Sequence, residues 1–381
     1  MTSSEAPLSH VRRGLPGPAR AALVVGLVYS FLVGVSSLEA GINLMGEDVH
    51  RALFETVTNP LAGLFVGILG TVMVQSSSAS TSLIVGLVAS GVIEVDTAVP
   101  MIMGANIGTT VTSTLVAFGH IRQSIEFQRA FAAASIHDFF NVFAVVLLLP
   151  LELATGVLGS TAEWLSDRLV GTSGAEWESP VKKLVETPVG WVGDLAELTG
   201  TSGTVLGLIQ VALGMAVILV ALVFITKNMR RLVADRVERA LNALLAKGGG
   251  LMAILVGMVI TIAVQSSSIT TSILVPLAGA GVLSLRSVFP VTLGANIGTT
   301  ATALLAAMAA SRPEALTIAL VHTLFNAVGT LIIYPFPSIR QIPLRAAEGL
   351  AALAVAHKKW AIAYVVVSFI VVPAIGVLLL R

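Results

Sequence analysis

Two polar runs interrupt apolar surroundings, Gln75-Ser76-Ser77-Ser78 and Gln265-Ser266-Ser267-Ser268. Each is followed by the same heptapeptide, Gly104-Ala-Asn-Ile-Gly-Thr-Thr110 and Gly294-Ala-Asn-Ile-Gly-Thr-Thr300. Their side chains are hydroxyls and carboxamides: Asn106, Thr109 and Thr110 in the first copy, Asn296, Thr299 and Thr300 in the second. Oxygen donors of this kind, with carbonyls freed where a helix breaks, suit a hard cation such as sodium. The N-terminal end of a half-helix offers unpaired N–H groups and partial positive charge, which suit an oxyanion. No Lys or Arg falls within the four motifs, so an anion held there needs co-bound cations and backbone dipoles. Cation-coupled anion binding is the economical consequence, each ion lowering the electrostatic cost of the other.

Packing is the plainer reading of the same motifs. Gly-Ala-Asn-Ile-Gly carries the small-xxx-small spacing that lets membrane helices approach closely, and serines in such helices bond back to their own carbonyls. Two copies of each motif at one offset favour a shared site, and close packing is compatible with it. His137 and His322, with Asp138, Asn141 and Asn326 beside them, lie inside apolar stretches and are expected to support the site through buried hydrogen bonds. No metal-ligand spacing, phosphate-cradling Gly-rich loop with Lys, or Ser/His/Asp constellation supports an enzyme, and the absence of Cys removes thiol chemistry and disulfides.

The elements that must position these groups follow from composition. Of 381 residues 55% are apolar and 11% charged, with a mean hydropathy of +0.93. Soluble domains carry about a quarter charged residues, so the remaining solvent for this surface is lipid. A formal net charge of +1 disfavours nucleic-acid binding. Segments 21–44, 97–119, 130–150, 204–226, 288–310, 316–334 and 360–380 are long and apolar enough to span a bilayer. The first lacks a signal-peptide cleavage pattern and is expected to be retained. Stretches 59–94 and 249–284 are apolar but broken at the Gln-Ser-Ser-Ser runs, so each reads as two half-helices in a re-entrant hairpin.

Loop charge orients the chain. Residues 226–248 hold Lys227, Arg230, Arg231, Arg236, Arg239 and Lys247 against Asp235 and Glu238, which places this loop in the cytoplasm. Segment 151–203, with eight acidic residues, falls outside. The span count then puts the N-terminus with Arg12 and Arg13, the turn at Arg122 and Arg129, and the basic stretch 335–359 inside, and the C-terminus outside. The step from Gln75 to Gln265 equals the step from Gly104 to Gly294, and His137-Asp-Phe-Phe-Asn141 is echoed at a slightly shorter step by His322-Thr-Leu-Phe-Asn326. The chain is a duplicated unit whose first copy starts inside and whose second starts outside. The expected fold is therefore an all-α polytopic membrane protein of two inverted-topology repeats, each with a re-entrant helical hairpin. Its divisions are a cytoplasmic segment 1–20, repeats 21–150 and 204–334, an extracytoplasmic acidic loop 151–203, and 335–381 as a cytoplasmic amphipathic stretch plus a final span.

The paired runs Val74-Gln-Ser-Ser-Ser78 and Gln265-Ser-Ser-Ser268, the paired Gly-Ala-Asn-Ile-Gly-Thr segments, the stretch Arg129–Asn141, and His322-Thr-Leu-Phe-Asn326 with Tyr334-Pro-Phe-Pro337 resemble the type II sodium-dependent phosphate cotransporters. The likeness runs over most of 20–380. It implies inward transport of inorganic phosphate across the plasma membrane, driven by sodium as coupling ion, with no other cofactor. It also implies that Gln265, Ser266, Thr299 and Thr302 help form a sodium site and contact phosphate, with Gln75, Ser76, Asn106 and Thr109 lining the other half. Ala301 interrupts the threonine run usual in the family, and segment 151–203 lacks the cysteines of animal members, so the chain looks like a bacterial-type homologue. A sodium-coupled carrier of sulfate or a dicarboxylate, and an anion channel, are the alternative readings.

Overall fold

The computed structural model describes residues 15–46, 59–170, 181–199, 203–247 and 249–380, and every regular element among them is helical. Arg12 and Arg13 of the N-terminal segment, and Glu176 and Glu178 of the acidic segment, lie outside the described residues.

Seven helical stretches have the length and hydropathy to cross a membrane, and each overlaps one of the seven spans read from the sequence. They are α1 (Gly17–Leu44), α4 (Val95–Gly108) continuing into α5 (Val111–Ala117), α6 (Ser124–Thr155), α9 (Gly203–Lys247) as far as Val233, α12 (Leu285–Ala307), α13 (Pro313–Ile333), and α15 (Lys359–Val366) continuing into α16 (Val372–Leu380). Four shorter apolar helices fill the interrupted stretches: α2 (Pro60–Val74) with α3 (Ser77–Ala89), and α10 (Gly250–Val264) with α11 (Ser267–Gly279).

Both breaks are built in the same way. Ser76 and Ser266 take extended backbone and act as N-caps, their hydroxyls accepting from the amides of Ala79 and Ile269 at 3.2 and 3.4 Å. The preceding Gln75 and Gln265 both have φ 57°, the left-handed conformation, and no other non-glycine described residue has positive φ. That conformation costs an L residue about 1 kcal/mol or more. Each glutamine offsets part of it by donating Nε2–H to a carbonyl of the helix it ends, Val72 at 2.5 Å and Ile262 at 2.6 Å.

Glycines set how the helices run. Gly63 and Gly67 of α2 face Thr97, Met101 and Ala105 of α4, while Gly104 and Gly108 of α4 face Leu64, Ile68 and Thr71 of α2. Residue numbers rise together, so α2 and α4 are parallel. In the second copy Gly257 faces Val291, Gly294 faces Ile254 and Met258, and Gly298 faces Met258 and Thr261, so α10 and α12 are parallel too. Between α1 and α9 the order reverses: Gly34 faces Gly214 and Gly41 faces Gly207. These two helices are antiparallel. Elements of the two halves also interlock, α3 packing on α12 and α13, and α11 on α5 and α6.

Segment 151–203, expected as a loop, carries two helices, α7 (Val157–Val170) and α8 (Lys182–Thr199). Glu152 caps the first by accepting from the amides of Leu158 and Gly159 at 2.6 and 3.0 Å. Likewise α9 does not stop at 226. Between Met215 and Lys247 the chain has no Gly or Pro, and helix formers carry it on to Lys247. Residues 337–356 form α14 (Pro337–Ala356), with Leu344, Ala347, Ala351 and Ala354 buried on one face. That periodicity is the amphipathic pattern the sequence displays there.

Candidate functional site

The two helix breaks meet. Ser78 Oγ lies 3.4 Å from the Gln265 carbonyl oxygen, and Thr302 Oγ1 lies 3.4 Å from Ser78 Oγ. Thr302 also donates to Gln265 Oε1 at 2.9 Å. Its counterpart in the first repeat, Thr112, does the same to Gln75 Oε1 at 3.2 Å. A third hydroxyl contact, Ser113 Oγ to Thr271 Oγ1 at 2.6 Å, joins the halves beside the breaks. Ser77 and Ser267 are buried in the first turns of α3 and α11, and Ser268 is half-buried. Two helix N-termini and two carboxamide–hydroxyl pairs therefore converge.

The asparagines of the heptapeptides sit elsewhere, in a closed network that crosses the halves. Asn106 Oδ1 accepts from Asn326 Nδ2 at 3.2 Å and faces His322 Nε2 at 3.4 Å. Asn296 Oδ1 meets His137 Nε2, and Asn296 Nδ2 donates to Asn141 Oδ1 at 2.6 Å. Asn141 Nδ2 then donates to the Asn106 carbonyl at 2.6 Å. Each half's asparagine is thus held by the other half's His and Asn. All six side chains are buried, and His137 Nδ1, His322 Nδ1 and Asn326 Oδ1 have no partner among the described residues, so the network is only partly satisfied. The threonines are mostly turned inward as well: Thr110 donates to Ile107, Thr299 to Ala295 and Thr300 to Ile297, while the buried Thr109 hydroxyl has no partner among the described residues.

Asp138 breaks the symmetry between the halves. Its counterpart in the second repeat, next after His322, is Thr323. The carboxylate is buried, accepts from Tyr364 of α15 at 2.9 Å through Oδ2, and has the Thr110 and Thr114 hydroxyls nearby. Oδ1 is unpartnered, and among the described residues no Lys or Arg pairs with it. A buried carboxyl of this kind must be neutralised, by a proton or by a bound cation.

A cavity of about 630 Å³ opens at the breaks. Gln75, Ser76, Ser78, Gln265 and Ser266 form one wall, and α9 supplies the other with Leu222, Thr226, Lys227, Arg230 and Arg231. The expectation that no cationic side chain accompanies the motifs is corrected here. It holds within the motifs, but the helical continuation of α9 carries three basic residues into the same cavity.

The family model described as Na+/Pi-cotransporter matches residues 30–156 and 200–357. The chain belongs to the Na+/Pi-cotransporter family. Among curated relatives of this family member, "Sodium-dependent phosphate transport protein 2A" of Rattus norvegicus is 37% identical over 93% of the chain. "Sodium-dependent phosphate transport protein 2B" of Homo sapiens is 31% identical over 94% of it. The chain spans 66% and 64% of the length of those two relatives. No solved structure matches it.

In this cotransporter-family chain the residues read as one site separate into two groups. Gln75, Ser76, Ser78, Gln265 and Ser266 come together at the cavity, with Thr302 bonded to Gln265 and Ser78, whereas Asn106, Asn296 and the two histidines form a separate buried network. Sequence reading missed Thr112, Tyr364 and the three basic residues of α9. Thr112 was discoverable as the repeat counterpart of Thr302, each lying two positions beyond its heptapeptide. The spacing of Lys227, Arg230 and Arg231, at i, i+3 and i+4, already puts them on one helical face.

Proposed function

We propose that the chain is a sodium-coupled symporter that imports inorganic phosphate across the plasma membrane by alternating access, both ions being held where the two helix breaks meet. The observation that carries this reading is the convergence of the α3 and α11 N-termini on one cavity with Gln75 and Gln265, whose carboxamide oxygens accept from Thr112 and Thr302. Amide dipoles there suit the oxyanion and the carboxamide and hydroxyl oxygens suit sodium. The names of the relatives, sodium-dependent phosphate transport proteins, favour phosphate over sulfate or a dicarboxylate.

Inverted repeats with re-entrant hairpins are part of the proposal. Antiparallel α1 and α9, the first helices of the two halves, are what a two-fold axis in the membrane plane produces. Contacts also sort by side: Arg129 lies at the Gly281 turn, and Arg312 at the Gly91 turn. With the positive-inside orientation, the first pair is cytoplasmic and the second external, and the cavity beside Lys227 and Arg230 opens inward. We place the moving core in the hairpins with α4–α6, α12 and α13, displaced against the α1–α9 pair, an elevator-like step.

Purified protein in liposomes is expected to accumulate labelled phosphate when sodium is imposed outside. Equal uptake with potassium in place of sodium would overturn the coupling, and flux that never exceeds equilibrium would favour a channel. Within the same assay, Asp138→Asn is expected to raise the sodium concentration for half-maximal uptake by about tenfold. Phosphate affinity at saturating sodium should change little. An unchanged sodium dependence would remove Asp138 from the cation path.

A further inference from the structure

We infer that Lys227, Arg230 and Arg231 form a second oxyanion station at the inner mouth of the cavity, distinct from the helix breaks, which takes free phosphate without sodium. The inference rests on the proposed transport reading for its direction, but its chemistry stands on the cavity alone.

Three observations support it. The three side chains line the cavity that holds Ser76, Ser266 and Gln265, so they share that space with the helix breaks as well as facing solvent. No Asp or Glu lines that cavity among the described residues, and none pairs with these cations there. The Lys227 ammonium lies over the Phe224 ring, 5.8 Å from the centroid. Among the described residues the cations therefore line a concave space that no carboxylate lines, where fields of one sign concentrate small counter-ions. Guanidinium groups one helical step apart offer forked N–H donors matched to phosphate oxygens, as charge-assisted bonds.

The station differs from the helix breaks in what neutralises the anion. At the breaks, backbone dipoles and the oxygen donors that suit sodium are the nearest groups, since the motifs themselves hold no fixed cation. At the α9 face the protein supplies the charge itself. Phosphate leaving the breaks would pass through this second station. When phosphate accumulates on the inner side it would fill the station and slow further release, which makes the station a sensor of product.

A phosphate-bearing lipid headgroup shares this chemistry, so the experiment separates the two sources. Labelled inorganic phosphate is bound to the protein in nanodiscs of phosphatidylcholine, with and without sodium. Native protein is expected to show a sodium-independent component that weakens steeply with added salt. The triple variant K227A/R230A/R231A is expected to lose that component by about tenfold or more, and K227R/R230K/R231K to restore it. The sodium-dependent component should persist in all three proteins. Its persistence in the triple alanine variant also reports a folded site. Phosphatidylglycerol in the nanodiscs is expected to leave the sodium-independent component in place. No such component in native protein, its retention in the alanine variant, or its displacement by phosphatidylglycerol would each overturn the inference. Failure of the transport reading looks different: the sodium-dependent component would be missing from every protein, with the α9 component intact. In liposomes, internal phosphate should inhibit uptake about tenfold less in the alanine variant.

Discussion

Gln265→Gly is expected to lower sodium-driven phosphate uptake by about a hundredfold, with the protein still folded and inserted. The figure corresponds to ~3 kcal/mol, the upper range for losing a polar contact whose partner stays unpaired, here the part-buried bond to the buried Thr302. Glycine is the informative replacement because Gln265 sits at φ 57°, where glycine is unstrained and alanine is not. The variant therefore keeps the helix break and removes only the carboxamide that joins Thr302 at 2.9 Å and closes onto Ile262 at 2.6 Å. Gln265→Ala should show the same loss of uptake together with a lower thermal midpoint, because it keeps the strained φ and loses the Nε2–H bond to Ile262 that offsets it. The same pair of substitutions at Gln75 tests the first half, where the carboxamide meets Thr112. Uptake at native rate in Gln265→Gly, with normal expression and monodispersity, would move the ion site away from the breaks.

Much of this arrangement was legible in the chain because it is written twice. The offset that links the Gln-Ser-Ser-Ser runs also pairs Thr112 with Thr302, and the structure gives both threonines the same bond to a glutamine oxygen. The breaks themselves were legible because each Gln-Ser run supplies an N-cap in the middle of an apolar stretch. What the sequence hid was which polar groups face each other across the repeats. Asn106 and Asn296 stand in motifs identical to the eye, yet their partners come from the opposite half, His322 and Asn326 for one, His137 and Asn141 for the other. Local spacing carries no information about such exchange. The charges of 226–248 were read for orientation, as loop charge usually is, and that reading passed over their helical spacing. With α9 continuing as a helix, the same residues acquire a direction and enter the cavity.

Alanine at Gly294 or Gly104 is expected to be among the most damaging single changes in the molecule, although neither residue touches the cavity. A methyl group at Gly294 would overlap the Ile254 carbonyl, and one at Gly104 the Leu64 carbonyl. Neither obstacle is a side chain that can swing away, so the helices must separate. Overpacking of this kind costs about 3 kcal/mol, and a fall of roughly 4 °C in thermal midpoint follows for a chain of this size. Gly70→Ala, where nothing lies within 4 Å, is the matched control and should be neutral. The consequence for function follows from geometry. Gly294 and Gly298 let α10 lie against α12, and that approach brings Gln265, at the end of α10, to Thr302, two turns further along α12. The small-xxx-small reading of the heptapeptide and the binding reading are therefore parts of one device: the glycines set the spacing, and the glutamine and threonine use it. Gly298→Ala, which meets the Met258 carbonyl and the Thr261 side chain, is expected to weaken sodium dependence more than it lowers the thermal midpoint. If Gly298→Ala lowered stability while leaving the sodium dependence of uptake native, helix spacing and ion coordination would be separate properties.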